Sequence, residues 1–323
     1  MAMTGTDQRQ TLERELDALR PDLRAYCYRM LGSAFDAEDA VQDTLVRAWR
    51  HIDRFEGRSS LRSWLYRIAT NVCLDVIAGR KRRALPADLA APSRPDEPLG
   101  PELGEHVWLE PAADAWLQPG PSDPGERAVV RDSVRLAFVA ALQVLPARQR
   151  AALILREVLA WRPSEIAELL DTTVVSVNSA LQRARQTLAR EDTGRRLAPV
   201  DAVSQELLDR YVDAFERFDI DALVSLLHED ATFDMPPLEF WLRGVDDIRE
   251  WLLHRHCTIA RYLPITLNGA PGFAMYRTTA EPGLLEAFGV QVLDVRDDVI
   301  VGIHNFLDAR LVELFGGSAT LVV

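Results

Sequence analysis

Residues 164–181 read SEIAELLDTTVVSVNSAL, and their spacing decides the fold of the surrounding segment. Ile166, Leu169 and Leu170 form one apolar helical face, and Val177, Leu181 and Leu188 form a second. Between them Asp171 stands where the chain must turn tightly with a positive φ, a conformation that aspartate tolerates better than most residues. Two short amphipathic helices around such a turn make a helix-turn-helix, whose second helix enters a DNA major groove. That helix is expected to begin near Thr173 or Val174. It should turn Val177 and Leu181 inward and leave Val175, Ser176, Asn178, Ser179, Gln182 and Arg183 outside, with Arg185 nearby. Apolar, amide and guanidinium groups are the chemistry that base edges and phosphates accept.

Upstream, a helix running to about Gln143 and another over roughly Ala147–Leu159 complete this part, with Pro146 suiting the first turn of the second. Further upstream, from Thr11 to about Arg83, the periodicity is again helical. Val41, Leu45, Ala48, Trp49 and Ile52 share one face of a helix for which Asp36 is the expected N-cap. A break at residues 54–60 precedes a helix with Leu61, Trp64, Leu65, Ile68 and Val72 on its apolar face, followed by Arg80, Lys81, Arg82 and Arg83. Residues 85–130 hold many of the chain's prolines, which remove backbone donors and stop helices, so this stretch reads as a linker. Val107, Trp108, Leu109 and Trp116 within it are apolar enough to dock on a neighbouring surface. Beyond about Pro199, amphipathic helices at Gln205–Arg217, Asp221–Leu227 and Val245–Leu253 give way to strand-like alternation at Tyr262–Leu267, Phe273–Thr278, Leu285–Val295 and Val299–Leu307. The turn Arg296-Asp297-Asp298 joins the last two, and the order of helices and strands predicts an α+β domain.

The net charge of −12 argues against a polyanionic partner until it is divided by segment. Residues 1–84 carry +3 and residues 131–190 carry +4, whereas 85–130 carry −7 and 191–323 carry −12. Local charge steers phosphate binding, so the two helical parts remain candidates for it. A length of 323 residues, with 48% apolar and 27% charged side chains, suits two or three globular domains. No apolar run reaches membrane-spanning length, and the N-terminus lacks a secretory h-region, so a cytoplasmic protein without membrane contact is expected. Cys27, Cys73 and Cys257 are far apart in sequence and form no C-x-x-C pair, so neither a disulfide framework nor a zinc site is predicted. His254, His256 and Cys257 do not share one helix face, and no metal or other cofactor is expected.

Two segments resemble the extracytoplasmic-function (ECF) sigma factors of the sigma-70 family. AFDAEDAVQDTLVRAWRHIDRFEGRSSLRSWLYRIATNVCLDVIAGRKRR (34–83) is similar to sigma region 2, and LPARQRAALILREVLAWRPSEIAELLDTTVVSVNSALQRARQTLA (145–189) to sigma region 4. YVDAFERFDIDALVSLLHEDATFDMPP (211–237) resembles the SnoaL-like, nuclear-transport-factor-2-like fold. The resemblance implies two all-α domains, at 1–84 and 131–197, joined by the acidic linker 85–130 and followed by a cone-shaped α+β domain at 198–323. It implies a non-enzymatic protein that binds core RNA polymerase and promoter DNA. By this likeness Asp39, Gln42, Asp43 and Arg47 face the polymerase. Arg58, Arg62, Tyr66, Arg67 and Asn71, with Arg80, Arg82 and Arg83, serve −10 recognition and melting, and the exposed face of 173–185 reads the −35 element. Trp64 is expected in the core and Tyr66 outside it. The C-terminal domain is expected to modulate activity in cis, with Phe233, Asp234, Trp241 and His304 as candidate lining of a small-ligand pocket. Some SnoaL-like relatives are enzymes with a carboxylate–histidine pair, for which His228 and Asp230 are further candidates. A DNA-binding helix-turn-helix regulator fused to a SnoaL-like enzyme or ligand-binding domain is the alternative, and an anti-sigma partner stays open.

Overall fold

The computed structural model describes residues 14–52, 55, 60–117, 133, 135–191, 202–254 and 259–323. They fall into two compact units that the chain visits alternately. One contains residues 1–83 and 116–193, the other 84–115 and 194–323.

The first unit is all helical. Helix α1 (Arg20–Leu31) stops at Gly32, whose φ of 68° lets its N–H close back on the Tyr28 carbonyl. Helix α2 (Ala34–His51) starts one turn earlier than the expected Asp36 cap: Ser33 is the N-cap and accepts the Asp36 N–H at 3.1 Å. Freed from that role, the Asp36 carboxylate takes Arg80 at 2.8 Å and Arg83 at 2.7 Å. Helix α3 (Leu61–Ile77) is capped by Ser60, which accepts the Ser63 N–H. Helices α4 (Leu136–Gln143) and α5 (Ala147–Leu153) follow, the latter running into a π-helical turn at Ile154–Val158. Helix α6 (Pro163–Leu169) and α7 (Val174–Glu191) are joined through Asp171 at φ 49°, the strained position anticipated from the sequence.

The two helical halves share a seam. Arg29 of α1 is 2% exposed and donates to the Ser133 hydroxyl at 2.8 and 3.1 Å. Arg150 of α5 is 4% exposed and donates to the Met30 carbonyl and to Gln143 Oε1. Burial pulls both guanidiniums down to a pKa of about 10.

In the second unit, helices α8 (Gln205–Glu216), α9 (Ile220–Val224) and α10 (Val245–His254) lie against a mixed sheet. The strands are β1 (Leu227–Asp234), β2 (Trp241–Arg243), β3 (Ile259–Leu267), β4 (Ala270–Thr278), β5 (Leu284–Arg296) and β6 (Val299–Phe306), in the order β2-β1-β6-β5-β4-β3. Strands β1 and β6 are parallel and the other neighbours antiparallel. Helix α11 (Ala309–Leu314) packs on β5, whose N-terminal end pairs with β7 (Thr320–Val322). The β5–β6 hairpin turns through Asp297 and Asp298, both at positive φ.

Residues 84–115 are a strap on this sheet domain. Ser93 donates to the Trp241 carbonyl at 2.8 Å and Trp241 Nε1 to the Ala90 carbonyl at 3.0 Å. Leu103 donates to the Pro237 carbonyl, and Ala112 and Asn268 exchange two hydrogen bonds of 2.9 Å. Trp108, Leu109, Ala112 and Ala113 are buried there. Proline deprives the strap of donors for a ladder of its own, so isolated bridges and single bonds anchor it. Trp116 belongs to the other unit, where the Arg24 guanidinium lies 4.8 Å over its ring.

Candidate nucleic-acid interface

Helix α7 presents the face anticipated from its spacing. Thr173 accepts the Ser176 N–H at its N-terminus. Val177, Leu181 and Ala184 are buried, while Val175, Ser176, Asn178, Gln182, Arg183 and Arg185 are exposed and Ser179 is half-buried. Val175 is 75% exposed, a cost in water that an apolar contact with a thymine methyl would relieve. Arg185 is tied to Glu157, so Arg183 is the freer cation on this face.

On α2, Asp39 and Gln42 are exposed, and Asp43 and Arg47 are half-exposed and paired with each other at 2.8 Å. Trp49 departs from expectation: placed by periodicity on the apolar face, it is 51% exposed and lines a cleft with Leu16, Asp17 and Leu45. A one-residue phase error over three turns suffices for this, since an 18-residue helix sweeps its stripe around the axis.

The residues expected to serve melting depart further from expectation. Tyr66, expected outside, is fully buried, with its ring 5.1 Å from Tyr26 and 5.5 Å from Trp161, both edge-on. Trp64, expected inside, is only half-buried against Phe55 at 5.2 Å. The apolar face of α3 thus meets a second surface, that of the helix-turn-helix half, which periodicity within one helix cannot reveal. Arg62 lies over the Tyr66 ring and pairs with Asp22. Arg67 donates to the carbonyl and carboxylate of Glu168 at 3.1 and 3.3 Å. Asn71 and Arg82 are exposed, whereas Arg83, expected on phosphate, is buried on Asp36, and Arg80 is paired there. Arg58 lies outside the described residues.

The C-terminal candidates split between the two faces of the sheet. Asp234 is register partner to His304 and to Trp241, and Asp294 to Gly302, so Asp234, Trp241, Asp294 and His304 share one face. The neighbours Phe233, Leu242, Leu293 and Ile303 face the helices instead. Phe233 therefore lines no pocket with the other three; it packs on Trp251 at 5.2 Å. His304 Nδ1 is 2.6 Å from Asp234 and Nε2 is 3.2 Å from Asp294. His228 and Asp230 are exposed at the start of β1 and do not join this cluster. On the helix side, Tyr211 donates to Gln291, Gln291 to Asn305, and Asn305 to the Asp234 carbonyl, at 2.7, 2.7 and 3.0 Å. This buried polar chain went unread in the sequence. Its signal was a glutamine and an asparagine at positions two residues from the apolar, core-facing Leu293 and Ile303.

Burial opposes charge on His304, but Asp234 and Asp294 more than offset it and hold its pKa well above the usual 6.5. A histidine raised in the folded state stabilises fully below the unfolded value, and that stabilisation is lost as pH climbs through the folded one. The urea midpoint of the full chain is expected to decline from neutral to alkaline pH, and His304→Gln to flatten that decline. Equal slopes for the two proteins would show the cluster to be uncoupled from folding.

A helical bundle, a helix-turn-helix with an exposed polar recognition face, and a strapped α+β domain define a multidomain DNA-reading protein of the sigma-70 type. The family descriptions agree: Sigma-70 region 2 matches residues 16–83, Sigma-70 region 4 matches 135–188, and the SnoaL-like domain matches 208–303. The ECF RNA polymerase sigma factor SigG of Mycobacterium tuberculosis is 44% identical over 96% of this chain and 85% of its own. The ECF RNA polymerase sigma factor SigW of Bacillus subtilis is 29% identical over 54% of this chain and 86% of its own. The crystal structure of the M. tuberculosis extracytoplasmic function sigma factor SigJ superposes with a TM-score of 0.57 at 21% identity, covering 94% of this chain and 99% of its own. The chain belongs to the ECF RNA polymerase sigma factors. Among the described residues no helix is long and apolar enough to cross a membrane.

Proposed function

We propose that α7 reads the −35 element, that α2 docks on core RNA polymerase, and that the C-terminal domain modulates both in cis without chemistry of its own. The exposed, mixed apolar–amide–guanidinium face of α7 carries the first part. Asp39 and Gln42, opposite the buried Val41 and Ala48, offer the polymerase a polar surface. Asn71 and Arg82 remain open to the −10 strand, with Arg62, Tyr66 and Arg67 engaged within the free protein.

The strap supports control in cis. Residues 84–115 connect regions 2 and 4 in sequence, yet Ser93, Leu103 and Ala112 are hydrogen-bonded to the C-terminal domain, so a change in that domain would be passed to the segment between the two DNA-reading modules. A small ligand of the domain would act by preferring the strapped or the released state. The helix side of the sheet is filled by Phe233, Phe240, Trp251, Tyr262 and Phe273, which favours this regulatory reading over catalysis there.

Labelled full-length protein is expected to bind core polymerase. On duplex DNA the holoenzyme with Arg183→Ala should show a salt slope shallower by about one phosphate contact. Failure of the folded protein to bind core polymerase would overturn the reading.

A further inference from the structure

Helix α7 turns a stripe of uncharged side chains away from its core. At about 100° of rotation per residue, Val175, Asn178, Ser179, Gln182 and Gln186 fall within roughly 60° of one direction, and the buried Val177, Leu181 and Ala184 point the other way. Asn178, Gln182 and Gln186 are exposed, and among the described residues nothing pairs with their amides. Thr173 and Ser176 differ in this respect, being hydrogen-bonded to each other at 3.0 Å. From Val175 to Gln186 the stripe carries no cation. Arg183 and Arg185 lie about 80° to either side of Val175, where the walls of a groove would stand.

We infer that A·T pairs specify the −35 element of this protein, with Asn178 and Gln182 each taking an adenine and Val175 a thymine methyl. This rests on the assignment of α7 to that element and adds to it which bases are read. A primary amide offers a donor and an acceptor side by side, which matches N7 and N6 of adenine in the major groove. Guanine presents two acceptors there, N7 and O6, and is met by a guanidinium or an ammonium, which this stripe lacks. Val175 has only apolar atoms, so the thymine methyl is the base group that suits it. Asn178 and Gln182 are one turn apart, about 6 Å along the axis and less than two base-pair steps of about 3.4 Å. Their adenines therefore lie one or two positions apart. Base contacts come from the N-terminal part of a recognition helix, so Gln186, a further turn on, is given none.

The test uses holoenzyme assembled from the full chain and bacterial core RNA polymerase, a random-sequence duplex library, and sequencing of the bound fraction. The motif that α7 reads is the one that substitutions on α7 alter. The parent is expected to enrich A·T at two positions no more than two apart. Asn178→Ala and Gln182→Ala should each relax the preference at one of them by roughly tenfold, and Gln182→Arg should turn the second towards G·C. Both side chains are exposed, so the fold tolerates these changes. Arg183→Ala should weaken all sequences alike and leave the preference in place. The inference is overturned if the positions relaxed by Asn178→Ala and Gln182→Ala are G·C in the parent, or if neither variant alters any enriched position. If no holoenzyme forms, the sigma reading falls with it. If holoenzyme forms and enriches a motif that α7 does not govern, this inference falls alone.

Discussion

Trp108→Ala is expected to destabilise the C-terminal unit by about 3–5 kcal/mol, the range for deleting a buried tryptophan side chain. Trp108 is 3% exposed and Leu109 fully buried, although both lie in a Pro-rich acidic stretch that reads as a linker. Urea unfolding followed by circular dichroism measures the loss. A change within about 0.5 kcal/mol, typical of a surface position, would mean the strap is a spacer after all. The same packing bears on truncation. A chain ending at residue 197 keeps Trp108, Leu109, Ala112 and Ala113 but loses the sheet that buries them. Such a fragment is expected to aggregate more readily than the full chain, with an apolar patch in the middle of its linker. Control in cis is therefore better probed by strap substitutions in the full chain than by deletion.

Arg150→Met is expected to cost on the order of 3 kcal/mol in the helical unit and to loosen region 4 from region 2. The guanidinium donates to Gln143 Oε1 at 2.5 Å, to the Gln143 and Leu145 carbonyls at 3.0 and 3.1 Å, and across the seam to the Met30 carbonyl. Methionine keeps much of the volume but leaves those buried oxygens without donors. Arg150→Lys should rescue little, because one ammonium cannot reach acceptors spread around a planar fork. Thermal unfolding gives the loss, and amide exchange at Met30 and Leu31 reports the seam. Parent-like stability in Arg150→Met would mean that water replaces the guanidinium there.

Much of the secondary structure was legible because it depends on periodicity and local chemistry. Ile166, Leu169, Val177 and Leu181 fix the helix-turn-helix by spacing, and the aspartates at 171, 297 and 298 mark positive-φ turns by side-chain type. The exposed face of α7 followed from the same period. Strand β1 was missed because His228, Glu229 and Asp230 break its alternation where it runs out into solvent.

Contacts distant in sequence decided the rest. Cys27 and Cys73, with 45 residues between them, are free thiols brought into hydrogen-bonding contact in the core of region 2. Asp234, Asp294 and His304 converge because parallel and antiparallel registers put them on one sheet face, and the same registers exclude Phe233. Tyr66 is enclosed by Tyr26 of α1 and by Trp161 of the second helical half, neither of which its own helix reveals. The sequence by itself determined most of the helices, the later strands and the turns, since those preferences act within a few residues. The tertiary structure alone decided which apolar face meets which partner, because an apolar side chain gains from any surface that removes it from water.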